Sequence, residues 1–403
     1  MVNGVGFLDN PFAIGATAAD TSALNARTAL FDSHAEVSGG TLRSRYDSTF
    51  GKSHAAYEQD LRRLAREGAG LYARLFSSPT GDHTVAFTLP ALLRHEAHVR
   101  GRPPVLQILD DRFDEHAMLW SMVYDLPVGG DSSRYEPCPA VRAYGPPVPP
   151  VCPWSEEHLG RGNVLCPYGF WGLSCMVEQP PTVHRDLETV VFPGPAEDIA
   201  LLAAVGDSLN EHLTIMHFDR LRQGPPRCQL ATATGPEVAD ALAPEAMDIV
   251  YFYCHCGYDV RTETAAADRY LDLGGIRMEP LDIGMWARTV WDDPHWPRRR
   301  PLVVLNGCHT TETTSGTLNS FVPAFTLLAG ASGVLGTEVT LEQGLASWAM
   351  EELLSRLLGG ATAGEALHGT RWAMLRRGNV MGLAYTAYCL ANLTLRPAKA
   401  RQE

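Results

Sequence analysis

The chain has 403 residues, 45% hydrophobic and 20% charged, a globular composition with length for one large or several smaller domains. Its 33 Lys and Arg against 46 Asp and Glu leave a net charge of −13, which argues against nucleic-acid binding and against attraction to an anionic membrane surface. There is no apolar run of roughly 18 residues, no basic n-region with a long apolar h-region in MVNGVGFLDNPFAIG, and the nine scattered cysteines fit free thiols, so a cytoplasmic protein is expected.

Residues 1–53 are rich in Ala, Gly, Ser, Thr and Asp without a sustained period, and a weakly ordered leader or a fragment of an upstream element is expected there. Tyr57, Leu61, Leu64, Gly68, Leu71 and Leu75 recur at steps of three and four, which predicts an amphipathic packing helix. Short apolar runs predict strands at Val85–Leu89, closed by Pro90, and at Val105–Leu109; Met118–Leu126 is a further apolar run that ends in a turn. Residues 127–167, rich in Pro, Gly and Cys, form a long excursion. A strand at Thr189–Phe192 and a helix over Asp198–Phe218 follow, the helix carrying Ile199, Leu202, Leu209, Leu213 and Met216 on one face.

The C-terminal half alternates. Strands are predicted at Asp248–Tyr253, Pro301–Leu305 and Gly333–Gly336, and helices at Leu318–Ala329, Leu341–Leu358 and Glu365–Arg376, with Gly359 and Gly360 ending the second. Such alternation implies βαβ units and an α/β fold with a mainly parallel sheet. No repeat of ~20–50 residues suggests a solenoid.

Two segments share one layout: DIVYFY followed by Cys254-His255-Cys256-Gly257, and PLVVL followed by Asn306-Gly307-Cys308-His309. Both reactive side chains fall just past the carboxyl end of a strand, the edge at which open α/β sheets bind ligands. A thiol becomes a strong nucleophile on losing its proton, which a neighbouring imidazole takes. Backbone N–H groups near Cys308 and Gly257 would stabilise an oxyanion, and glycines at 257 and 307 would let the chain approach a substrate closely. Taken singly, a cysteine or histidine at such a place is more often structural. A metal is the rival reading of Cys254-His255-Cys256, but adjacent strand residues point to opposite faces. Upstream, Cys138, Cys152, Cys166 and Cys175 lie 14, 14 and 9 positions apart with His158 among them, whereas structural zinc commonly uses ligand pairs about two to four residues apart. Neither metal nor cofactor is therefore expected.

The two segments resemble the His and Cys blocks of the CHAT domain, a caspase-like cysteine-peptidase family related to caspases and separases. The likeness runs on through Asn319–Ala331, Gly333–Glu338 and Leu357–Leu367, and upstream through Leu119–Asp125 and Tyr168–Gly172, over roughly 57–395. It implies a caspase-like α/β fold, a mainly parallel central sheet flanked by helices, in a domain spanning 54–395. That domain would comprise a non-catalytic pseudo-caspase-like half (54–192) and a catalytic half (193–395), with 396–403 as a tail. It implies cysteine endopeptidase activity with His255 as general base, Cys308 as nucleophile and Gly257 in the oxyanion hole. The family's His-Gly stands here as His255-Cys256-Gly257, and His309, a neighbour of the site, replaces a commoner acidic residue. Asp259, Glu338 and Glu342 are candidates for an acidic substrate pocket, Arg261 argues the other way, and Arg298–Arg300 reads as an exposed charged turn. The expected partners are a protein or peptide substrate and a separate sensor or regulator, in a bacterial defence or signalling system. A silent caspase-like scaffold or peptide sensor is the alternative.

Overall fold

The computed structural model describes residues 16–38, 41–76, 84–108, 118–129, 131, 134–141, 148–159, 163–180, 199–223, 228–243, 247–259, 268–291, 296, 300–308, 310–311 and 320–395. The chain divides into two compact units. The first comprises Met1–Leu109, His116–Glu178 and Leu367–Tyr385; the second comprises Asp110–Glu115, Gln179–Ala366 and Thr386–Glu403.

In the first unit, α1 (Ala16–His34) leads into a hairpin of β1 (Ala35–Ser38) and β2 (Thr41–Ser44). The described part of the stretch expected as a weakly ordered leader or an upstream fragment thus holds a helix and a hairpin. The helix buries Ala23, Ala26, Ala29 and Leu30, and small side chains give little hydrophobic periodicity although alanine favours helix. Next, α2 (His54–Leu75) is capped by Ser53, and every residue of its predicted apolar face is buried. The expected strand at Val85–Leu89 is instead part of α3 (Thr84–Arg100), which buries Leu89, Pro90, Leu93 and Ala97 on one face. Tertiary burial there overrides the local strand preference.

The rest of the unit is built on short pairings. β3 (Val105–Gln107) will pair with a later strand, and Met118–Leu126 folds into a 3₁₀ turn at Trp120–Met122. β4 (Glu136–Pro137), α4 (Ser155–Leu159), β5 (Val164–Leu165), α5 (Trp171–Ser174) and β6 (Met176–Glu178) follow. β3 pairs with β6 and β4 with β5, both in parallel. The blocks around Tyr124 and Tyr168–Gly172 meet directly: Asp125 N–H donates to Gly169 O at 2.9 Å, and Trp171 N–H to Val123 O at 2.9 Å. Residues 367–385, expected with the catalytic half, also belong to this unit. Trp372 Nε1 donates to Leu173 O at 2.8 Å, and the buried Arg371 guanidinium to Gly172 O at 3.2 Å.

Asp125 is paired with Arg94 at 2.7 Å, the carboxylate side chain being 2% exposed. Burial pushes its carboxyl from 3.8 up to about 6, against the pull of Arg94. The folded chain thus holds this proton more tightly than the unfolded one. The stability it contributes is fully present below pH 3.8 and is lost as pH rises through about 6. Asp125→Asn is expected to match wild type near pH 4 and to exceed it near pH 7 by up to ~3 kcal/mol. Urea unfolding at both pH values checks this; parallel stabilities would refute it.

In the second unit, β7 (Ile199–Val205) stands where part of a helix was expected. Its run IALLAAV is a nearly fully buried central strand, whose continuous apolarity reads equally as helix. α6 (Glu211–Gln223), β8 (Cys228–Ala233), α7 (Glu237–Leu242) and β9 (Ile249–Tyr253) come next. A three-stranded antiparallel sheet follows, made of β10 (His255–Asp259), β11 (Asp268–Asp272) and β12 (Arg277–Met278). Then come α8 (Pro280–Thr289), β13 (Leu302–Leu305), a short α9 (Phe321–Pro323) running into a π turn, β14 (Gly333–Thr337), α10 (Gln343–Leu358), α11 (Ala363–Arg376) and β15 (Tyr385–Tyr388). α11 crosses from the second unit into the first.

The main sheet has the order β15-β14-β13-β9-β7-β8, and the pairings β14–β13, β13–β9, β9–β7 and β7–β8 are all parallel. Alternate residues face opposite ways: Val250, Phe252, Val303 and Leu305 join one apolar cluster, while the Tyr251 and Tyr253 hydroxyls bond His217 of α6 and Ser347 of α10. Both faces are thus covered, as a parallel sheet requires. The predicted strand Thr189–Phe192 lies outside the described residues. Among the described residues no helix is long and apolar enough to cross a membrane.

Candidate active site

The sheet order reverses between β7 and β9: the chain goes from β7 to β8 on one side and returns to β9 on the other. Ligands of open α/β sheets gather beyond the carboxyl ends of strands near such a reversal. Phe252 of β9 pairs with Leu305 of β13, and Asn306 N–H donates to Phe252 O at 2.8 Å to extend the ladder. Three residues beyond each member of that pair stand His255 and Cys308. Neighbouring strands run about 4.8 Å apart, so equal offsets carry both residues to one edge.

The loop after β13 is clamped on two sides. Asn306, 4% exposed, donates through Nδ2 to Tyr251 Oη at 2.9 Å and to Ala346 O at 3.1 Å. Tyr251 Oη lies 3.0 Å from His217 Nε2, and His217 Nδ1 2.9 Å from Glu351. A neutral imidazole protonated at Nδ1 lets every group in this chain both donate and accept correctly. On the other side, Thr310 Oγ1 donates to Leu305 O at 3.0 Å, Thr337 N–H donates to Thr310 Oγ1 at 3.1 Å, and Thr337 Oγ1 donates to Gly307 O. A Cβ on Gly307 would lie 2.7 Å from Cys254 O, so only glycine lets the two segments run this close. None of Asn306, Thr310, Thr337 and His217 was marked as a functional residue from the sequence. The one signal was their position beside or between the apolar runs.

Cys308 is half-buried, its Sγ 4.0 Å from Leu341 O. Burial pushes its thiol up, partly offset by hydrogen bonds from the Thr340–Leu341 turn, so the resting thiol needs a base to ionise near neutrality. His255 is exposed at the head of β10. It faces Asp272 in the antiparallel register of β11, and directly opposed residues project to the same side. Cys254 is 3% exposed, with its thiol also pushed up by burial, while Cys256 is half-buried. Exposed His255 thus lies on the opposite side from the two thiols, as alternation along an extended chain requires.

The other candidates take different places. Tyr270 covers one face of Gly257, its ring carbon 2.4 Å from where a Cβ would stand, so the close approach this glycine allows is to that aromatic side chain. Glu342 is the N-cap of α10, accepting from Gly344 N–H at 2.8 Å and Leu345 N–H at 2.9 Å. Glu338 is 0% exposed and accepts from Tyr388 Oη at 3.3 Å. Both belong to the segment against which Cys308 rests. Asp259 ends β10, opposite Asp268. Arg300 is no exposed turn: it donates to Gly330 O at 3.0 Å and Ala331 O at 3.4 Å. His309, Arg261, Arg298 and Arg299 lie outside the described residues.

Residues 193–388 match the family model described as the CHAT domain. A curated protein of Vitiosangium sp. (strain GDMCC 1.1324), described as a probable protease, is 29% identical over 368 residues, covering 85% of this chain. The chain spans 45% of that relative's length. Among solved structures, a Saccharomyces cerevisiae separase–securin complex aligns over 49% of this chain and 12% of its own, at 12% identity and a TM-score of 0.33. A structure titled only as a protease aligns over 86% of this chain and 70% of its own, at 11% identity and a TM-score of 0.37.

Proposed function

From the match of residues 193–388 to the CHAT-domain family we propose that the chain is a cysteine endopeptidase in which Cys308 attacks and His255 carries the proton. The observation that carries the proposal is the equal offset of both residues beyond the paired ends of β9 and β13. The curated relative described as a probable protease supports the same reading. His255 takes the Cys308 thiol proton as the sulfur bonds to the substrate carbonyl carbon. The tetrahedral oxyanion is held by backbone N–H groups, for which those of Cys308 and Gly257 are proposed. His255 then returns the proton to the leaving amine as the C–N bond breaks, and water hydrolyses the thioester. For orienting the imidazole we propose Asp272, opposite His255 in the β10–β11 register. The first unit is the non-catalytic half, and the substrate is a protein partner in a defence or signalling system.

One feature favours the silent-scaffold alternative: burial pushes the Cys308 thiol up and so disfavours the thiolate. The two readings separate in one experiment. Wild type and Cys308→Ala are incubated with a cell lysate, and newly formed protein N-termini are read by mass spectrometry. Termini that appear with wild type alone support the peptidase. Termini surviving the substitution would remove Cys308 from the mechanism, and none with either protein would favour the scaffold.

A further inference from the structure

We propose that Cys138, Cys152, His158 and Cys166 of the first unit bind one structural zinc ion. Their ligand atoms all lie within 4.8 Å of one another, three of the residues buried and His158 half-buried. Cys138 Sγ is 3.6 Å from Cys152 Sγ, and Cys152 Sγ is 4.0 Å from His158 Nε2. With zinc–sulfur bonds near 2.3 Å and zinc–nitrogen bonds near 2.0 Å, tetrahedral ligand atoms sit ~3.5–3.8 Å apart. A contraction on the order of an ångström or less therefore closes the set around an ion of this size.

The fold brings these residues together for reasons unrelated to their spacing. β4 and β5 pair in parallel with Pro137 beside Leu165, so Cys138 and Cys166, each the next residue, emerge side by side. Cys138 N–H donates to Leu165 O at 2.7 Å and extends that ladder. The Cys152 carbonyl oxygen accepts from Ser155 N–H at 3.0 Å at the entry to α4, which carries His158. Ala140 N–H lies 3.4 Å from Cys138 Sγ, a second-sphere bond of the kind that steadies a metal thiolate.

Three sulfurs and an imidazole favour zinc over the hard cations, which prefer oxygen. Four protein ligands leave no open position, so the ion is structural and not a water-activating one. The regular structure described around the ligands is short: β4 and β5 are two residues each and α4 is five. A cavity of about 370 Å³ reaches Cys152, His158 and Cys166 and supplies an entry path. This reverses the sequence expectation of no metal: the ligands come at intervals of 14, 6 and 8 positions, and only the β4–β5 register and α4 turn them into one group. A Cys138–Cys152 disulfide is the rival outcome, requiring the sulfurs to close to about 2.05 Å.

The test uses the full chain, purified under reducing conditions without a histidine tag, with metal content measured by mass spectrometry. One zinc per chain is expected in wild type, in Cys308→Ala and in Cys175→Ser, and near none in Cys138→Ser, Cys166→Ser and His158→Ala. His158→Cys is expected to keep the ion. Because a ligand variant can fail by misfolding, wild type stripped of metal and reloaded with Co²⁺ alone provides an independent measurement. Thiolate-to-cobalt charge-transfer bands with the intense visible bands of tetrahedral Co²⁺ are expected. Unchanged zinc in the ligand variants, a wild type without zinc that gives no such cobalt spectrum, or a Cys138–Cys152 disulfide in protein handled anaerobically would each overturn the proposal.

Discussion

His255→Ala is expected to slow cleavage by about 10²–10⁴-fold, the usual worth of a general acid–base, and Cys308→Ala by more, on the order of 10⁴–10⁶-fold. The double variant is expected to be no slower than Cys308→Ala, because groups acting in one step are not additive. The pH dependence gives a second signature. Burial raises the Cys308 thiol, so without the imidazole the thiolate must form unaided. The residual rate of His255→Ala should then climb about tenfold per pH unit through neutrality, while wild type changes less steeply. Steady-state rates between pH 6 and 9 on a peptide spanning the cleavage site found in lysate check both features. Equal rates and parallel profiles for His255→Ala and wild type would remove His255 from the mechanism.

Gly307→Ala is expected to lower kcat/KM by about 10²-fold, the effect of an ångström-scale misplacement of a reacting group, and to destabilise by about 1–3 kcal/mol. The new methyl would lie 2.7 Å from Cys254 O and 3.1 Å from Thr310 Cγ2. The first of these is a backbone atom and cannot swing aside. The loop cannot easily retreat either, because Asn306 holds it to Tyr251 and Ala346, and Thr337 holds the Gly307 carbonyl. The strain therefore reaches Cys308, the next residue. Gly70→Ala is the control: nothing lies within 4 Å of its Cβ position, and in the interior of α2 it should stabilise by ~0.4–1 kcal/mol with unchanged activity. Thermal midpoints and kcat/KM of the two variants check this. Equal activity in Gly307→Ala and wild type would show that the nucleophile loop tolerates displacement.

The candidate dyad was legible because its signals are local. An apolar run that ends in His255 or in Cys308 is a pattern of consecutive residues, and βαβ alternation carries both to one sheet edge. The buried face of α2 was equally legible, since helical period and burial coincide there. The elements misread were those whose local signal is ambiguous. Ile199–Val205 is apolar in every period, and α1 is written in alanine.

By itself, then, the sequence determined the alternation of strands and helices, the strands that precede His255 and Cys308, and the lack of a long apolar span. Only the tertiary structure decided what depends on contacts between distant segments. Thr337 and Asn306 clamp the loop that carries Cys308, Glu342 caps α10, and buried Glu338 meets Tyr388. Cys138, Cys152, His158 and Cys166 converge only through the β4–β5 register. The physical reason is the same in each case. Local periodicity reports which side of an element meets the core, whereas register and loop closure decide which residues from remote parts of the chain meet one another.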